Sequence, residues 1–207
     1  MPRSPLMDED AFWELIERSG RETGTRQERL AWLDDELSRC SAEEIVDFAM
    51  WWASATSRLC TWDLYAVYRL LIGWGSLDGF EYFVKWLVSL GRTAFEQVAA
   101  GADRVIELPE FLRLLELRRT RLADDEFPVW SAEEEPEFEL LGYVTFGPYE
   151  KATGMDAAHL GEAVSARGVD ARFPLVGAAF DGEEWDLDDE VEFARRLPRV
   201  ARYLGIS

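Results

Sequence analysis

From about Asp8 to Ile72 the apolar residues recur at helical rather than strand intervals, and the breaks between them carry helix-start chemistry. This pattern confines the chain to an all-α architecture more tightly than any other feature. Asp8 can cap a helix that turns Phe12, Trp13 and Ile16 inward, and Leu30, Leu33 and Leu37 mark one face of a second. Ser41-Ala42-Glu43-Glu44 is a capping box, in which the Ser41 hydroxyl accepts from the amide three residues on and Glu44 reaches back to the Ser41 amide. The body that follows, Ile45 to Ala53, is apolar on nearly all sides and so predicts a central helix.

A further helix is expected from Trp62-Asp63 to Ile72, broken by Gly73-Trp74-Gly75-Ser76. Ser76 or Asp78 can cap the next, where Phe80, Phe83, Val84 and Leu87 fall on one face and Glu81 and Lys85 are spaced for an exposed i,i+4 pair. Thr93 to Ala100 reads as a helix, and Pro109 opens another that ends near Leu122. Helix is expected to resume near Pro136 and run to Gly154, then from Met155 to Ala166 with the lone His159, and again from Asp188 to Leu197 until Pro198 interrupts it. Residues 168–182 read either as an irregular hydrophobic loop or as a short hairpin.

The expected organisation is a flexible amino end over 1–7, a multi-helix orthogonal or bundle domain over 8–122, an acidic linker over 123–136, and a less regular acidic extension over 137–207 packed on the first domain. With 207 residues, a sizeable core needs no staples. Cys40 and Cys60 lack metal or disulfide spacing, and no apolar run reaches the length of a signal peptide or a membrane span, so a cytoplasmic setting is expected. The formal charge of −19 repels phosphate backbones and anionic lipid, arguing against nucleic-acid and membrane partners and favouring a basic protein.

Candidate chemistry is sparse. The glycine turn at 73–79 lacks the third glycine of a dinucleotide loop and the lysine of a Walker loop. One histidine cannot build a paired-histidine metal site, and the acidic run from Asp181 to Glu190 lacks the calcium-loop pattern. No catalytic set, cofactor or metal site is therefore assigned. Cys60 beside Arg58 could have a lowered pKa, but no base accompanies it and burial is its default reading. Asp63, Asp78 and Glu81 flank the glycine turn and would form acid/base or cation-holding groups if they converged, although helix capping, helix-end charge and pairing with Lys85 each explain one of them. Nine tryptophans are many for this length, and Trp62 and Trp74 are candidate surface anchors.

Met7-Asp8-Glu9-Asp10-Ala11-Phe12-Trp13, Ala42-Glu43-Glu44-Ile45-Val46-Asp47-Phe48, Thr61-Trp62-Asp63-Leu64 and Asp78-Gly79-Phe80-Glu81-Tyr82-Phe83 together resemble the bacterial family called domain of unknown function 4240. The resemblance is strongest from Met7 to about Glu96 and departs at Ile72-Gly73-Trp74-Gly75, where relatives are Asn- and Gly-rich. It implies no activity or site residues. Two readings follow: a non-enzymatic interaction module offering an acidic, aromatic face to a basic partner, with Trp62 and Trp74 as anchors, or a small-ligand, cation-binding or enzymatic site built from Asp63, Asp78 and Glu81.

Overall fold

A computed structural model of the chain describes residues 6–73, 75–124, 129–173 and 180–206. It is all-α. Helices α1 (Glu9–Arg21), α2 (Arg26–Leu37) and α3 (Ala42–Arg58) begin where side chains satisfy their first amides. Asp8 accepts from the Ala11 amide at 2.9 Å, and both Thr25 with Glu28 and Ser41 with Glu44 close reciprocal capping boxes. Phe12, Trp13 and Ile16 are buried, as are Leu33 and Leu37. As its sequence requires, α3 is central, contacting α1, α5 and two later helices.

Helix α4 (Trp62–Ile72) is capped by Thr61 and stops at Gly73, whose φ of 89° lies in the left-handed region that glycine enters without strain. Ser76, not Asp78, caps α5 (Leu77–Ser89), its hydroxyl accepting from the Gly79 amide at 3.0 Å. Then come α6 (Arg92–Ala99), a 3₁₀ turn (Ala102–Glu107) and α7 (Pro109–Ala123), with Pro109 in the first turn where its missing amide costs nothing.

The helix expected from Pro136 is replaced by a bound crossing. The Phe138 amide donates to the Tyr82 carbonyl at 3.0 Å, fastening the chain across α5 before it coils into a 3₁₀ helix (Glu139–Tyr143) and then α8 (Phe146–Thr153). Gly142 permits this approach, because a Cβ there would lie 2.6 Å from Lys85 Nζ. Helix α9 (Ala157–Ser165) packs with α8 on α3, where Ile45, Val46, Ala53, Tyr149, Leu160 and Val164 form a satellite core.

Between 168 and 182 the described residues form no named strand. The Trp62 amide donates to the Asp181 carbonyl at 3.2 Å and the Asp181 amide to the Cys60 carbonyl at 2.8 Å, making one parallel bridge, while 174–179 lie outside the described residues. Helices α10 (Glu190–Arg196) and α11 (Pro198–Leu204) follow, and Pro198 interrupts the pattern by opening the second of them. The amides of Arg199 and Val200 donate to Asp103 Oδ1 at 2.9 and 3.0 Å, a cap supplied from the 3₁₀ turn nearly a hundred residues earlier. The main core runs from Met7 and Phe12 through Phe83 and Phe111 to Phe193, Leu197 and Val200. Among the described residues no helix is long and apolar enough to cross a membrane.

Candidate functional site

Trp62 and Asp63 sit in the first turn of α4. The indole of Trp62 is half-buried, its ring 4.7 Å from that of Phe180 and 6.3 Å from that of Tyr65. Asp63 Oδ1 accepts from Trp185 Nε1 at 3.1 Å and lies 3.7 Å from Arg196, whose guanidinium also meets Glu183 and Glu192 at 2.6 Å. Both residues line a pocket of about 200 Å³ whose charges are mutually satisfied. Trp74 lies outside the described residues. Asp78 is exposed in the first turn of α5, while Glu81 lines a different cavity from Asp63. The pairing expected at the surface is instead internal: Glu81 Oε1 and Lys85 Nζ meet at 2.7 Å with side chains only 11% and 4% exposed. The crossing at 138–146 covers them.

That buried pair anchors the most structured candidate site. Lys85 Nζ lies 5.1 Å from the Tyr82 ring centroid and 4.9 Å from that of Tyr143, and it points a weak bond of 3.5 Å at the Glu139 carbonyl. Its ammonium is therefore enclosed by one carboxylate, two aromatic faces and one carbonyl. Glu81 meets Lys85 through Oε1, and no hydrogen bond from a described residue reaches its Oε2. Burial, a hydrogen bond to Glu139 and that residue's charge push the Tyr82 phenol up to about 12. Burial likewise raises the Tyr143 phenol, aided by Glu139, Glu81 and Asp78, so two of the sequence candidates share the electrostatic surroundings of this one ring.

The pair opens onto a cleft of about 300 Å³ between α3, α5, the 141–146 crossing and α9. Small residues create the space: Ala49 and Ala53 on α3, Gly142 on the crossing, Ala157 and Gly161 on α9. Trp52, Phe48 and Phe173 supply aromatic walls, and among the described residues Glu81 and Lys85 are its only charged lining residues. The sequence signalled Glu81 but not the cleft, because its walls come from segments distant in the chain.

Tyr143 and Val144 are also a wall of a second feature on the outer side of the crossing. A shallow groove of about 370 Å³ is lined by Leu30, Ala31, Asp34 and Asp35 of α2 with Leu140, Tyr143 and Val144. Leu140 is 57% exposed, Tyr143 42% and Phe146 38%, and the Tyr143 and Phe146 rings are 5.5 Å apart. Asp34, Asp35 and Glu139 are exposed, and none of them makes an ion pair with a described residue. Elsewhere carboxylates are repeatedly claimed by arginines, as in Arg58–Glu96 and Arg121–Glu134. None of the described tryptophans is fully exposed: Trp13, Trp86 and Trp185 are buried, and Trp51, Trp52 and Trp62 are half-buried. Among the described residues the exposed aromatic rings are those of Tyr143, Phe146 and Tyr203.

The remaining polar candidates are structural. Burial pushes the Cys60 thiol up to about 11, opposite to what a nucleophile needs. His159 is exposed and hydrogen-bonded to Asp156, the cap of α9, at 2.8 Å. Among the described residues no group of three or more His, Cys, Asp or Glu side chains could hold a metal ion. A family model described as protein of unknown function (DUF4240) matches residues 7–151. No curated protein and no solved structure matches the chain.

Proposed function

We propose, from the premise that the chain belongs to the DUF4240 family, that it is a non-enzymatic interaction module whose α2–crossing groove receives a basic amphipathic segment of a partner protein. The observation that carries this reading is the juxtaposition along the groove of exposed Leu140 and Tyr143 with the carboxylates of Asp34 and Asp35, which pair with no described cation. An apolar strip bounded by uncompensated negative charge is complementary to a helix with leucines on one face and Lys or Arg beside them. The charge of −19 adds long-range attraction, which raises the encounter rate, while desolvation of the Tyr143 ring supplies affinity. Cys40 and Cys60, which form no disulfide, suit a reducing, cytoplasmic setting.

The test uses a fluorescent helical peptide bearing Leu on one face and Lys on the other, and its Glu-for-Lys counterpart, titrated by anisotropy. The Lys peptide should bind and weaken steeply between 50 and 300 mM salt, as expected of screened charges. Leu140→Asp and Tyr143→Ala should each weaken binding about tenfold or more, equivalent to about 1.4 kcal/mol. Val191→Ser, at an exposed residue outside the groove, should leave it unchanged. Equal binding of the Glu peptide, or wild-type affinity in both groove variants, sinks the proposal.

A further inference from the structure

We infer that the cleft between α3, α5, the 141–146 crossing and α9 is a binding site for a small organic amine, whose apolar body fills the cleft and whose ammonium pairs with Glu81. A volume of about 300 Å³ corresponds to about ten waters at ~30 Å³ each, or to one aromatic ring with a short tail.

The polarity of the head group follows from which partner of the buried pair has capacity left. Lys85 is already enclosed by Glu81, the Tyr82 and Tyr143 rings and the Glu139 carbonyl, so an incoming anion would have to displace one of these. Glu81 retains Oε2, and an ionised carboxylate oxygen accepts hydrogen bonds and donates none. The ligand's head must therefore donate. Glu139 and Asp78 add negative charge around Tyr143, which favours a charged donor over a hydroxyl. Trp52, Phe48 and Phe173 offer faces for the ring, and the short side chains of Ala49, Ala53, Ala157 and Gly161 leave it room.

A buried ion pair is itself weak support for a fold, since desolvation offsets much of its attraction, so its position in the cleft wall points to recognition. The cleft shares Tyr143 and Val144 with the groove, but Glu81 and the α9 residues that this inference rests on do not line the groove.

The experiment is isothermal titration calorimetry of the full chain with three isosteric probes: 2-phenylethylamine, 2-phenylethanol and phenylacetate. The amine should bind at least tenfold more tightly than the alcohol, with no measurable binding of the carboxylate. Glu81→Gln should weaken the amine at least tenfold and bring it level with the alcohol. Because Glu81→Gln leaves Lys85 without its counter-charge and risks unfolding, Gly161→Leu provides the second variant. A Cβ at Gly161 meets nothing within 4 Å, and leucine suits a helix, so this change fills the cleft without touching the ion pair. It should abolish amine binding with circular dichroism unchanged. Tighter binding of the alcohol or the carboxylate, no binding of any probe, or amine binding indifferent to Gly161→Leu overturns the inference.

Discussion

A carboxylate with no exposed surface must satisfy its charge inside the protein, and Asp47 does so with three groups from two distant parts of the chain. Its Oδ2 accepts the Leu6 and Met7 amides at 2.6 and 3.1 Å, and its Oδ1 pairs with Arg167 just past α9. Asp47→Ala should destabilise by about 3 kcal/mol, the scale for removing one partner of a buried charged network. Asp47→Asn, which keeps one acceptor, should cost about half of that; urea denaturation checks both, and equal losses would show that the side-chain volume, not the hydrogen bonding, matters. In the sequence Asp47 is one acid of a helix that reads as apolar, and nothing local marks it as the partner of Met7 and Arg167. Glu81 and Lys85 illustrate the same limit. Their four-residue spacing announced the pair correctly, but its burial depends on Phe138 docking to Tyr82 and on Gly142 passing close to Lys85. The cleft was therefore invisible at the residue that anchors it.

At the scale of the element, α5 is the helix most dependent on its neighbours. A Cβ on Gly79 would fall 2.0 Å from the Tyr68 hydroxyl oxygen, and Tyr68 is fully packed, with its hydroxyl donating to Glu137 Oε1 at 3.0 Å. Gly79→Ala should therefore destabilise by about 2 kcal/mol through overpacking, despite the better helix propensity of alanine. Tyr68→Phe removes the clashing atom, so the double variant should be more stable than the two single losses added together; strict additivity in a thermal double-mutant cycle would contradict the steric account. Helix starts were the most legible part of this fold because capping chemistry is local: Asp8 and the Ser41 box begin their helices as their spacing dictates, and Gly73 ends α4. The crossing at 136–146 reads as a helix start, yet the chain first fastens across α5 there. Its apolar spacing fits a helix, but the backbone bond from Phe138 to Tyr82 commits the chain to α5 first, a contact that no local pattern records.

Across the whole molecule, acidity and stability are tied through arginine. Hydrogen bonds from Arg121 hold the Glu134 carboxyl at about 2, and those from Arg195 and Arg196 do the same for Glu192. Glu22, Glu44, Glu96 and Glu116 are also held below the usual range by their hydrogen-bond partners, whereas burial raises Glu137. Groups with depressed folded-state pKa values stabilise the fold above their unfolded value of ~4.3, and that contribution fades as pH falls toward ~2. Glu137 opposes the trend, but it is one group against several. The melting temperature should therefore drop progressively between pH 4.5 and 2.5, which circular dichroism can follow, and a flat profile over that interval would remove the paired carboxylates from the account of stability.

The contacts of the last two helices reach further than stability. The family match ends at residue 151, yet Phe193, Leu197 and Val200 pack into the same core as Phe12 and Phe83, and Asp103 caps α11 from inside the matched region. The shared portion is thus an open vessel here, and the residues after it serve as its stopper. A relative that kept the matched portion but carried another tail would have to seal the same seam with different side chains, so the tail is where members can diverge only by exchanging one closure for another.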